Sequence, residues 1–321
     1  MGTRSCFSML VLSIEVHKFF LSPPSTISNR ALRYNAEHAV VLNTMKFQKY
    51  QALGNDYLVL QDAALPPQPG VVRQLCHRQL GAGADGVLWP HPSGQAGEFA
   101  VRIFNPDGSE AETSGNGLRI FARYLWDCGL VAAAQFAVTT LAGTVQCQVL
   151  AGGAAVRVQL GRARFESSAI PVAGAARAVV NEPLRVAGRL LHITAVSVGN
   201  PHCVVPLARI SAALVQRLGP LLENHALFPQ RTNVQLVRVL AAHQIQIEIW
   251  ERGAGYTLAS GSSSCAAAAA CVRLGLCQSP LQVRMPGGLL QVQVAPDYSV
   301  TLEGPAQKVY EGVAAAEDLS P

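Results

Sequence analysis

One segment of the chain occurs twice, and this duplication limits the folds that are open to it. Each copy reads as an alternating strand, a polar turn with glycine, a Ser-Gly pair, a hydrophobic helix and a closing Gly-Leu. The offset between the copies is 146 residues throughout, from 105 to 251, from 114 to 260 and from 129 to 275. A single Ser-Gly match would be a coincidence, but four features in one register indicate two similar domains.

The two Ser-Gly pairs, at Ser114 and Ser260, stand where each predicted helix begins. A helix N-terminus presents free backbone N–H groups and the positive end of the helix dipole, so it favours an anion. A lone serine at such a place is best explained as a helix cap. A matched pair favours a shared site instead, in which two facing helix ends converge on one small acidic ligand.

The rest of the chain is rich in strands with short turns. Helical patterns outside the duplicated helices are confined to 71–79 and 210–222, and the alternating patterns typical of strands lie at 144–150, 155–160, 234–239, 245–250, 281–284, 290–294 and 300–302. Because few β–α–β alternations occur, the pattern predicts an α+β fold. The length of 321 residues fits two domains of about 150 residues each.

Composition excludes several classes of protein. Half of the residues are hydrophobic and 14% are charged, which excludes an intrinsically disordered chain. No run approaches the ~20 apolar residues of a membrane span. The net charge of +5 comes from scattered arginines and four lysines, so neither a nucleic-acid partner nor a membrane partner is predicted.

Cysteine and glycine spacing predicts neither a metal nor a cofactor. The eight cysteines form no CxxC pair and no zinc-like spacing, which favours buried thiols in a reducing cytoplasm. No Gly-rich dinucleotide motif occurs in a β–α–β context, and no Schiff-base lysine is evident among the four lysines. We therefore expect a cytoplasmic protein that uses no cofactor.

Residues 1–44 differ from the rest of the chain. Their apolar run is interrupted by Glu15 and precedes His17 and Lys18, whereas a secretory signal places positive charge before an unbroken apolar region. An organelle transit peptide would fit the Ser and Arg content. We expect instead that translation starts at Met45, where a strand pattern begins, and that 1–44 are a disordered leader or a mis-assigned start.

Seven short motifs are spread over nearly all of the 277 residues that follow residue 44. They are Leu53-Gly-Asn-Asp, Gly83-Ala-Asp-Gly, Phe104-Asn-Pro-Asp-Gly-Ser-Glu, Ser114-Gly-Asn-Gly-Leu-Arg, Gly199-Asn-Pro-His, Phe228-Pro-Gln-Arg-Thr-Asn-Val and Glu251-Arg-Gly-Ala-Gly-Tyr-Thr. In this order they resemble the diaminopimelate epimerases, cofactor-independent isomerases of lysine and peptidoglycan biosynthesis. The resemblance implies two pseudo-symmetric domains, each a strand-rich barrel around a central helix. Residues 45–160 with 304–321 would form one domain, and residues 161–303 the other.

The resemblance also implies a site for a small zwitterionic amino acid. The side chains that would bind its ammonium and carboxylate groups are Asn55, Asn105, Asn200, Asn233, Glu251 and Arg252. The backbone N–H groups that would bind its α-carboxylate belong to Gly115, Asn116, Gly261 and Ser262. A zwitterionic diacid needs such fixed donors, a carboxylate for its ammonium and a cation for its carboxylate. Taken singly, each of these residues is explained as well by a turn or a surface position.

Both catalytic positions differ from the family pattern. The family places a cysteine on each side of the substrate α-carbon, one as base and one as acid, and here both positions are serine, Ser114 and Ser260. A thiol has a pKa near ~8.5 that falls further at a helix N-terminus, whereas an aliphatic hydroxyl supplies almost no alkoxide. Cys265, five residues beyond Ser260, should face another direction. His202 is a candidate rescuing base because its segment lines the cleft in the family.

Three hypotheses about function follow. The one we favour is a cofactor-independent diaminopimelate epimerase that interconverts LL- and meso-diaminopimelate by two-sided α-proton transfer, strongly impaired by the two serines. The second is an altered isomerase or dehydratase with a His, Asp or Glu base. The third is a non-catalytic amino-acid-binding homologue. A further alternative is that the serines were introduced to trap an inactive complex. The resemblance implies a homodimer, whereas the residues themselves indicate no oligomeric state.

Overall fold

The computed structural model describes residues 44–61, 65–92 and 98–315, which belong to one compact unit. The predicted leader, residues 1–44, lies outside the described residues except for Thr44. The helices in the described part are α1 (Pro69–Cys76), α2 (Gly115–Asp127), α3 (Ala212–Glu223) and α4 (Gly261–Arg273).

Eighteen strands are described in the same part of the chain. In chain order they are β1 (Met45–Ala52), β2 (Asn55–Leu60), β3 (Val87–Pro92), β4 (Phe99–Phe104), β5 (Glu110–Ala111), β6 (Gln135–Thr140), β7 (Gly143–Leu150), β8 (Ala155–Arg162), β9 (Glu182–Val186), β10 (Arg189–Ser197), β11 (Pro201–Pro206), β12 (Asn233–Ala241), β13 (Gln244–Glu251), β14 (Gly255–Thr257), β15 (Leu281–Met285), β16 (Gly288–Val294), β17 (Ser299–Gly304) and β18 (Gln307–Ala314).

The duplication seen in the sequence is repeated in the order of strand pairing. Parallel pairs join β2 to β3 and β4 to β6, and the equivalent pairs in the second half join β11 to β12 and β13 to β15. Most other pairs are antiparallel, and all strands belong to one continuous sheet. The α+β class and the pseudo-symmetric, barrel-like architecture are therefore confirmed. The boundaries of the two domains stay a prediction. The strands β8 and β17, which pair with each other, both run across the predicted boundaries.

A helix fills the centre of each half. Leu118 and Phe121 of α2 lie in the apolar core of the first half, beside residues of β2, β4 and β7. In the second half the run 266–270, five alanines of α4, is fully buried. Side chains this small let the surrounding strands pack close to the helix, and their burial contributes roughly 25 cal/mol per Å² of apolar surface. The shorter α1 and α3 pack against other strands through separate apolar clusters.

Both central helices end in the way that their Gly-Leu pairs predict. Gly129 and Gly275 take positive φ angles of 65° and 69° after α2 and α4. The backbone N–H groups of Leu130 and Leu276 then donate to carbonyl oxygens five residues earlier, each at 2.9 Å. This is the Schellman arrangement, in which glycine takes the left-handed conformation without a steric cost. The strand and helix patterns of the sequence are confirmed with shifts of a few residues at their ends.

Within the described residues, no helix has the length and apolar character that a membrane crossing would require. The same residues contain no group of histidine, cysteine or acidic side chains arranged to hold a metal ion.

Candidate functional site

The N-termini of α2 and α4 lie in contact with each other. A Cβ atom on Gly115 would lie 3.3 Å from the Cα atom of Gly261, and one on Gly261 would lie 3.2 Å from the Cα atom of Gly115. Both distances are shorter than an ordinary van der Waals contact, so these positions need glycine for the helix ends to come together. This close contact explains why glycine follows serine in each Ser-Gly pair. The predicted convergence of the two helix ends is confirmed.

A cavity of about 150 Å³ lies at this meeting point. Most of the residues singled out in the sequence line it, namely Asn55, Asn105, Ser114, Gly115, Asn116, Asn200, Glu251, Ser260, Gly261 and Ser262. The remaining lining residues are Tyr57, Ala111, Thr113, Leu160 and Val198. Two helix N-termini and several amide side chains therefore face one small volume, as recognition of a zwitterionic amino acid requires.

Ser114 caps α2 and contacts a phenol. Its Oγ accepts a hydrogen bond from the backbone N–H of Gly117 at 3.0 Å and lies 3.2 Å from the hydroxyl of Tyr57. Burial raises the pKa of Tyr57 to about 12, although the hydrogen bond with Ser114 opposes that shift. At neutral pH the phenol keeps its proton, so the partner of Ser114 is a weak acid rather than a base.

Ser260 caps α4 and faces a carboxylate. Its Oγ accepts from the backbone N–H of Ser263 at 3.4 Å and lies 3.5 Å from the hydroxyl of Ser262. Burial raises the pKa of Glu251, and a hydrogen bond between Glu251 and Ser260 partly offsets the shift. Glu251 is the one acidic side chain among the cavity residues. A carboxylate with a raised pKa is a better base than an ordinary one, so the two sides of the cavity differ chemically.

A chain of amide groups supports the α2 side of the cavity from behind. The side chain of Asn116 donates to Asn55 at 3.0 Å, and Asn55 donates to a carboxylate oxygen of Asp85 at 3.0 Å. Arg78 bridges Asp85 and Asp56 with contacts of 2.7 Å to each carboxylate. Burial raises the pKa of Asp56, but hydrogen bonds from Arg78 and from Lys49 outweigh it and lower this pKa to about 2.

A buried cation lies beneath the same helix end. Arg119 is fully buried and donates to the carbonyl oxygen of Gly115 at 3.1 Å and to the side-chain oxygen of Asn116 at 2.9 Å. No carboxylate forms an ion pair with it within the described part of the chain. Burial lowers its pKa to about 10, which leaves the guanidinium charged at neutral pH. Its charge and its bond to the peptide between residues 115 and 116 make the cavity more favourable for an anion.

Asn200 lines the cavity, whereas His202 lies behind it. A ring nitrogen of His202, Nε2, is 2.8 Å from the side-chain oxygen of Asn200, so the amide NH₂ of Asn200 is the group left for a ligand. His202 is fully buried, its Nδ1 has no hydrogen-bond partner among the described residues, and burial lowers its pKa to about 3. An imidazole that resists protonation is a poor base, so this geometry does not support His202 as the rescuing base.

Two further residues from the sequence are not brought into the cavity. The buried amide of Asn233 donates to the carbonyl oxygen of Pro201 at 2.8 Å and accepts from the backbone N–H of Arg252 at 2.9 Å. The guanidinium of Arg252 is exposed and donates to the carbonyl oxygen of Gln230 at 3.1 Å. In this arrangement Asn233 holds the turn that follows Glu251, and Arg252 does not reach a ligand in the cavity.

Tyr57 and Thr113 line the cavity with hydroxyl groups and were not identified from the sequence, and of the two Tyr57 contacts Ser114. Tyr57 follows Asn55 by two positions on β2, and alternate residues of a strand share a face. That spacing is the signal that could have identified it. Cys265, by contrast, is fully buried in the core of the second half and does not line the cavity, and burial raises its pKa to about 12.

Comparison with known proteins identifies the family of the chain. The family model of diaminopimelate epimerase matches residues 47–166 and 194–309. The chain belongs to the diaminopimelate epimerase family. It is 48% identical over 275 residues to diaminopimelate epimerase 2 of Nostoc sp. (strain PCC 7120 / SAG 25.82 / UTEX 2576), covering 85% of this chain and 96% of that protein. It is 42% identical over 275 residues to the diaminopimelate epimerase of Moorella thermoacetica, with 84% and 98% covered.

Solved structures share the fold of this diaminopimelate epimerase family member at low sequence identity. A probable proline racemase from Agrobacterium radiobacter superposes with a TM-score of 0.66 at 16% identity, covering 86% of this chain and 94% of that one. A hydroxyproline epimerase from Agrobacterium vitis gives a TM-score of 0.65 at 14% identity, with 87% and 94% covered. A methylitaconate-delta-isomerase gives a TM-score of 0.60 at 12% identity, with 87% and 98% covered. The fold is thus one on which isomerases are built.

Proposed function

We propose that the chain binds diaminopimelate between Ser114 and Ser260 and interconverts its LL and meso forms much more slowly than a family member with two cysteines. The observation that carries this proposal is that both serines cap helices whose ends face one cavity of about 150 Å³. Binding needs only donors and charges, and these are present. Proton transfer needs a base and an acid of matched pKa, and these are weak.

Binding is supported by the groups that face the cavity. Free N–H groups of α2 and α4 and the charge of Arg119 favour a carboxylate, while Glu251 supplies the opposite charge for an ammonium group. The amides of Asn55, Asn105 and Asn200 add hydrogen-bonding groups of both kinds. The site therefore fits an amino acid with at least two charged groups.

Proton transfer at this site would have to pass through hydroxyl groups. On the α4 side the α-proton would move to the Oγ of Ser260 while the proton of that hydroxyl moves to Glu251, so that Glu251 ends protonated. On the α2 side Ser114 would deliver its own proton to the opposite face of the α-carbon and recover one from Tyr57. Because the pKa of Tyr57 is about 12, this second relay is costly at neutral pH. General acid–base catalysis is worth roughly 10²–10⁴-fold, which sets the scale of the loss.

An altered, one-sided isomerase is the second candidate. It is favoured by the contact of Glu251 with Ser260, because the α4 side holds a carboxylate with a raised pKa and the α2 side holds no base among its described residues. Removal of a proton from one carbon and its return by the same group to another carbon, with a shift of the double bond between them, would isomerise a substrate without inverting a centre. One fold neighbour is named as an isomerase that is neither a racemase nor an epimerase, methylitaconate-delta-isomerase.

Replacement of both serines by cysteine tests the proposal. The S114C/S260C variant should interconvert LL- and meso-diaminopimelate at least about 100-fold faster than the wild type, as followed by chiral chromatography. Each single variant should stay near the wild-type rate. Ser211, which caps α3 outside the cavity, offers a matched control, and S211C should change nothing. Recovery by one substitution alone would contradict the two-base account, and no recovery by both would favour the one-sided isomerase or a binding protein.

A further inference from the structure

A second and larger cavity lies beside the one between the serines. It has a volume of about 740 Å³ and shares Thr113, Leu160 and Val198 with the serine cavity as a common wall. We call it the amide groove and define it by five of its lining residues, Gln146, Gln159, Arg162, Arg164 and Gln293. Its volume falls within the range of about 300–1,000 Å³ that small-molecule sites occupy, and it exceeds that of the serine cavity several-fold.

The floor of the amide groove is a row of polar side chains on adjacent strands. Gln159 of β8 lies opposite Thr301 of β17, and Thr301 lies opposite Gln293 of β16. Directly opposite residues of antiparallel strands project from the same face about 5 Å apart. Gln146 of the neighbouring β7 extends the row. No side-chain hydrogen bond ties up any of these three glutamines in the described part of the chain, so their amide donors and acceptors face the groove unused.

Two arginines stand at one end of this row. The register of β8 against β17 shifts near Gly161, which has a φ of 90°. Ala163 is buried, whereas Arg162 and Arg164 on either side of it are exposed and line the groove. Neither arginine forms an ion pair with any described residue, and no acidic side chain lines the groove. A concave surface with one sign of charge concentrates counter-ions.

The acidic residue that interacts with this end of the groove is already engaged. Asp297 accepts hydrogen bonds from the backbone N–H of Ser299 at 3.0 Å and from the hydroxyl of the same residue at 2.7 Å. These bonds, with a smaller contribution from the charge of Arg162, lower the pKa of Asp297. Its carboxylate therefore compensates part of one positive charge, while Arg164 is left without an acidic partner in the described part of the chain.

We propose that the amide groove binds a small organic or inorganic polyanion, at a site separate from the serine cavity. Arg162 and Arg164 pair with its anionic groups, and Gln146, Gln159 and Gln293 hydrogen-bond to the rest of the molecule. A planar guanidinium can donate two parallel hydrogen bonds to a carboxylate or to a phosphate. Either anionic group would therefore be bound by the same contacts. Nothing in the transfer of an α-proton between two serines requires this groove.

Isothermal titration of the full chain with citrate and with inorganic pyrophosphate tests the proposal at low ionic strength. At least one of them should bind with a Kd below about 1 mM, and the one that binds more tightly distinguishes a carboxylate ligand from a phosphate ligand. Each charged hydrogen bond is worth about tenfold in affinity. The variant R162Q/R164Q should therefore lose about 100-fold, and Q159L/Q293L, which keeps both charges, should lose several-fold.

A matched control separates the groove from general charge. Arg189 and Arg209 are exposed and line a different surface cavity, so R189Q/R209Q removes the same charge elsewhere and should alter the affinity less than twofold. Equal weakening by both double variants would overturn the proposal, as would a wild-type Kd above about 10 mM for both anions. R162Q/R164Q should still bind diaminopimelate like the wild type, so this test is decided independently of the function proposed for the serine cavity.

Discussion

Ser114 and Ser260 share a backbone geometry but differ in chemical surroundings. Their φ and ψ angles are −146° and 119° in one case and −148° and 126° in the other, and each caps a helix of 13 residues. Ser114 contacts a phenol whose pKa is raised to about 12, whereas Ser260 contacts the carboxylate of Glu251. The two halves therefore share helix starts that favour an anion, and they differ in the groups that could move a proton.

In the function proposed here, anion binding and acid–base catalysis depend on separate features of the fold. Anion binding would come from the main chain of α2 and α4, whose starts are positioned by the Ser-Gly pairs and by the Gly115–Gly261 contact. Acid–base chemistry depends on one side-chain atom at each helix start. We therefore expect that oxygen in place of sulphur at both positions preserves anion binding and removes most of the acid–base catalysis.

The largest expected effect comes from removing the carboxylate on the α4 side. Glu251→Gln should lower the residual exchange of the substrate α-hydrogen by about 100-fold, because Glu251 is the acidic group beside Ser260. Proton NMR in D₂O measures this rate. Glu248 lies on the same strand outside the cavity and bonds to Tyr256, so E248Q is the matched control. Equal rates in E251Q and the wild type would remove the chemical asymmetry between the two halves.

Acid should destabilise the second half before the first. The pKa of His202 is about 3 in the folded chain and ~6.5 when unfolded, so the unfolded state binds more protons between these values and stability falls as pH falls. The loss between pH 6.5 and 4.5 should be about 2–3 kcal/mol. The lowered pKa of Asp56 in the first half acts in the same direction, but only below about pH 4.

Denaturant unfolding at each pH measures this effect. His202→Gln should flatten the dependence between pH 6.5 and 4.5, and His243→Gln, at an exposed position, is measured beside it for comparison. An identical slope for H202Q and the wild type would show that another group is responsible.

Removal of the buried cation should weaken binding on the α2 side. Arg119→Met keeps the apolar stem of the side chain but removes the charge and the bond to the Gly115 carbonyl, so the affinity for diaminopimelate should fall about tenfold. Arg119→Lys should recover part of this loss because it restores the charge. Arg123, one turn along the same helix, bonds to Asp127 instead, and R123M should bind normally. Calorimetric affinities that are equal in R119M and R123M would argue against a role for the charge.

The smallest effect is expected at the phenol. Tyr57→Phe removes one hydrogen bond to Ser114, yet the serine keeps the backbone N–H of Gly117, so the loss of stability should be about 1 kcal/mol. Its α-hydrogen exchange should stay within about threefold of the wild type. Tyr256→Phe, which removes a phenol bond outside the cavity, is the comparison in thermal unfolding and exchange. A drop in exchange as large as that of E251Q would make the two sides chemically equal.

Much of the fold and part of the site could be predicted from the sequence because local chemistry determines them. Ser-Gly marked the helix starts and Gly-Leu the helix ends, and alternation marked the strands. The position of a residue in a motif did not reveal its bonding partner, however. Asn233 belongs to a matching motif, but both ends of its amide are used by the backbone around Pro201 and Arg252.

The same limit applies to the candidate base. His202 lies in a motif next to the cleft, and only the packing shows that its ring turns to Asn200 and into the core. The amide groove could not be predicted from the sequence either, because its glutamines come from three separate strands and are brought together only by the register of the sheet. Contacts between residues distant in sequence decide such features, and patterns along the chain do not encode them directly.

Loss of the α-hydrogen signal in D₂O reports directly on proton transfer by the two serines. Purified full-length protein is mixed with LL- and with meso-diaminopimelate, and proton NMR follows binding shifts, deuterium incorporation and inversion together. We expect shifts that show binding, with exchange and inversion at least about 100-fold slower than in S114C/S260C. Exchange with inversion at the rate of the two-cysteine variant would show that two serines with their neighbours are a sufficient acid–base pair, which would contradict the proposed impairment.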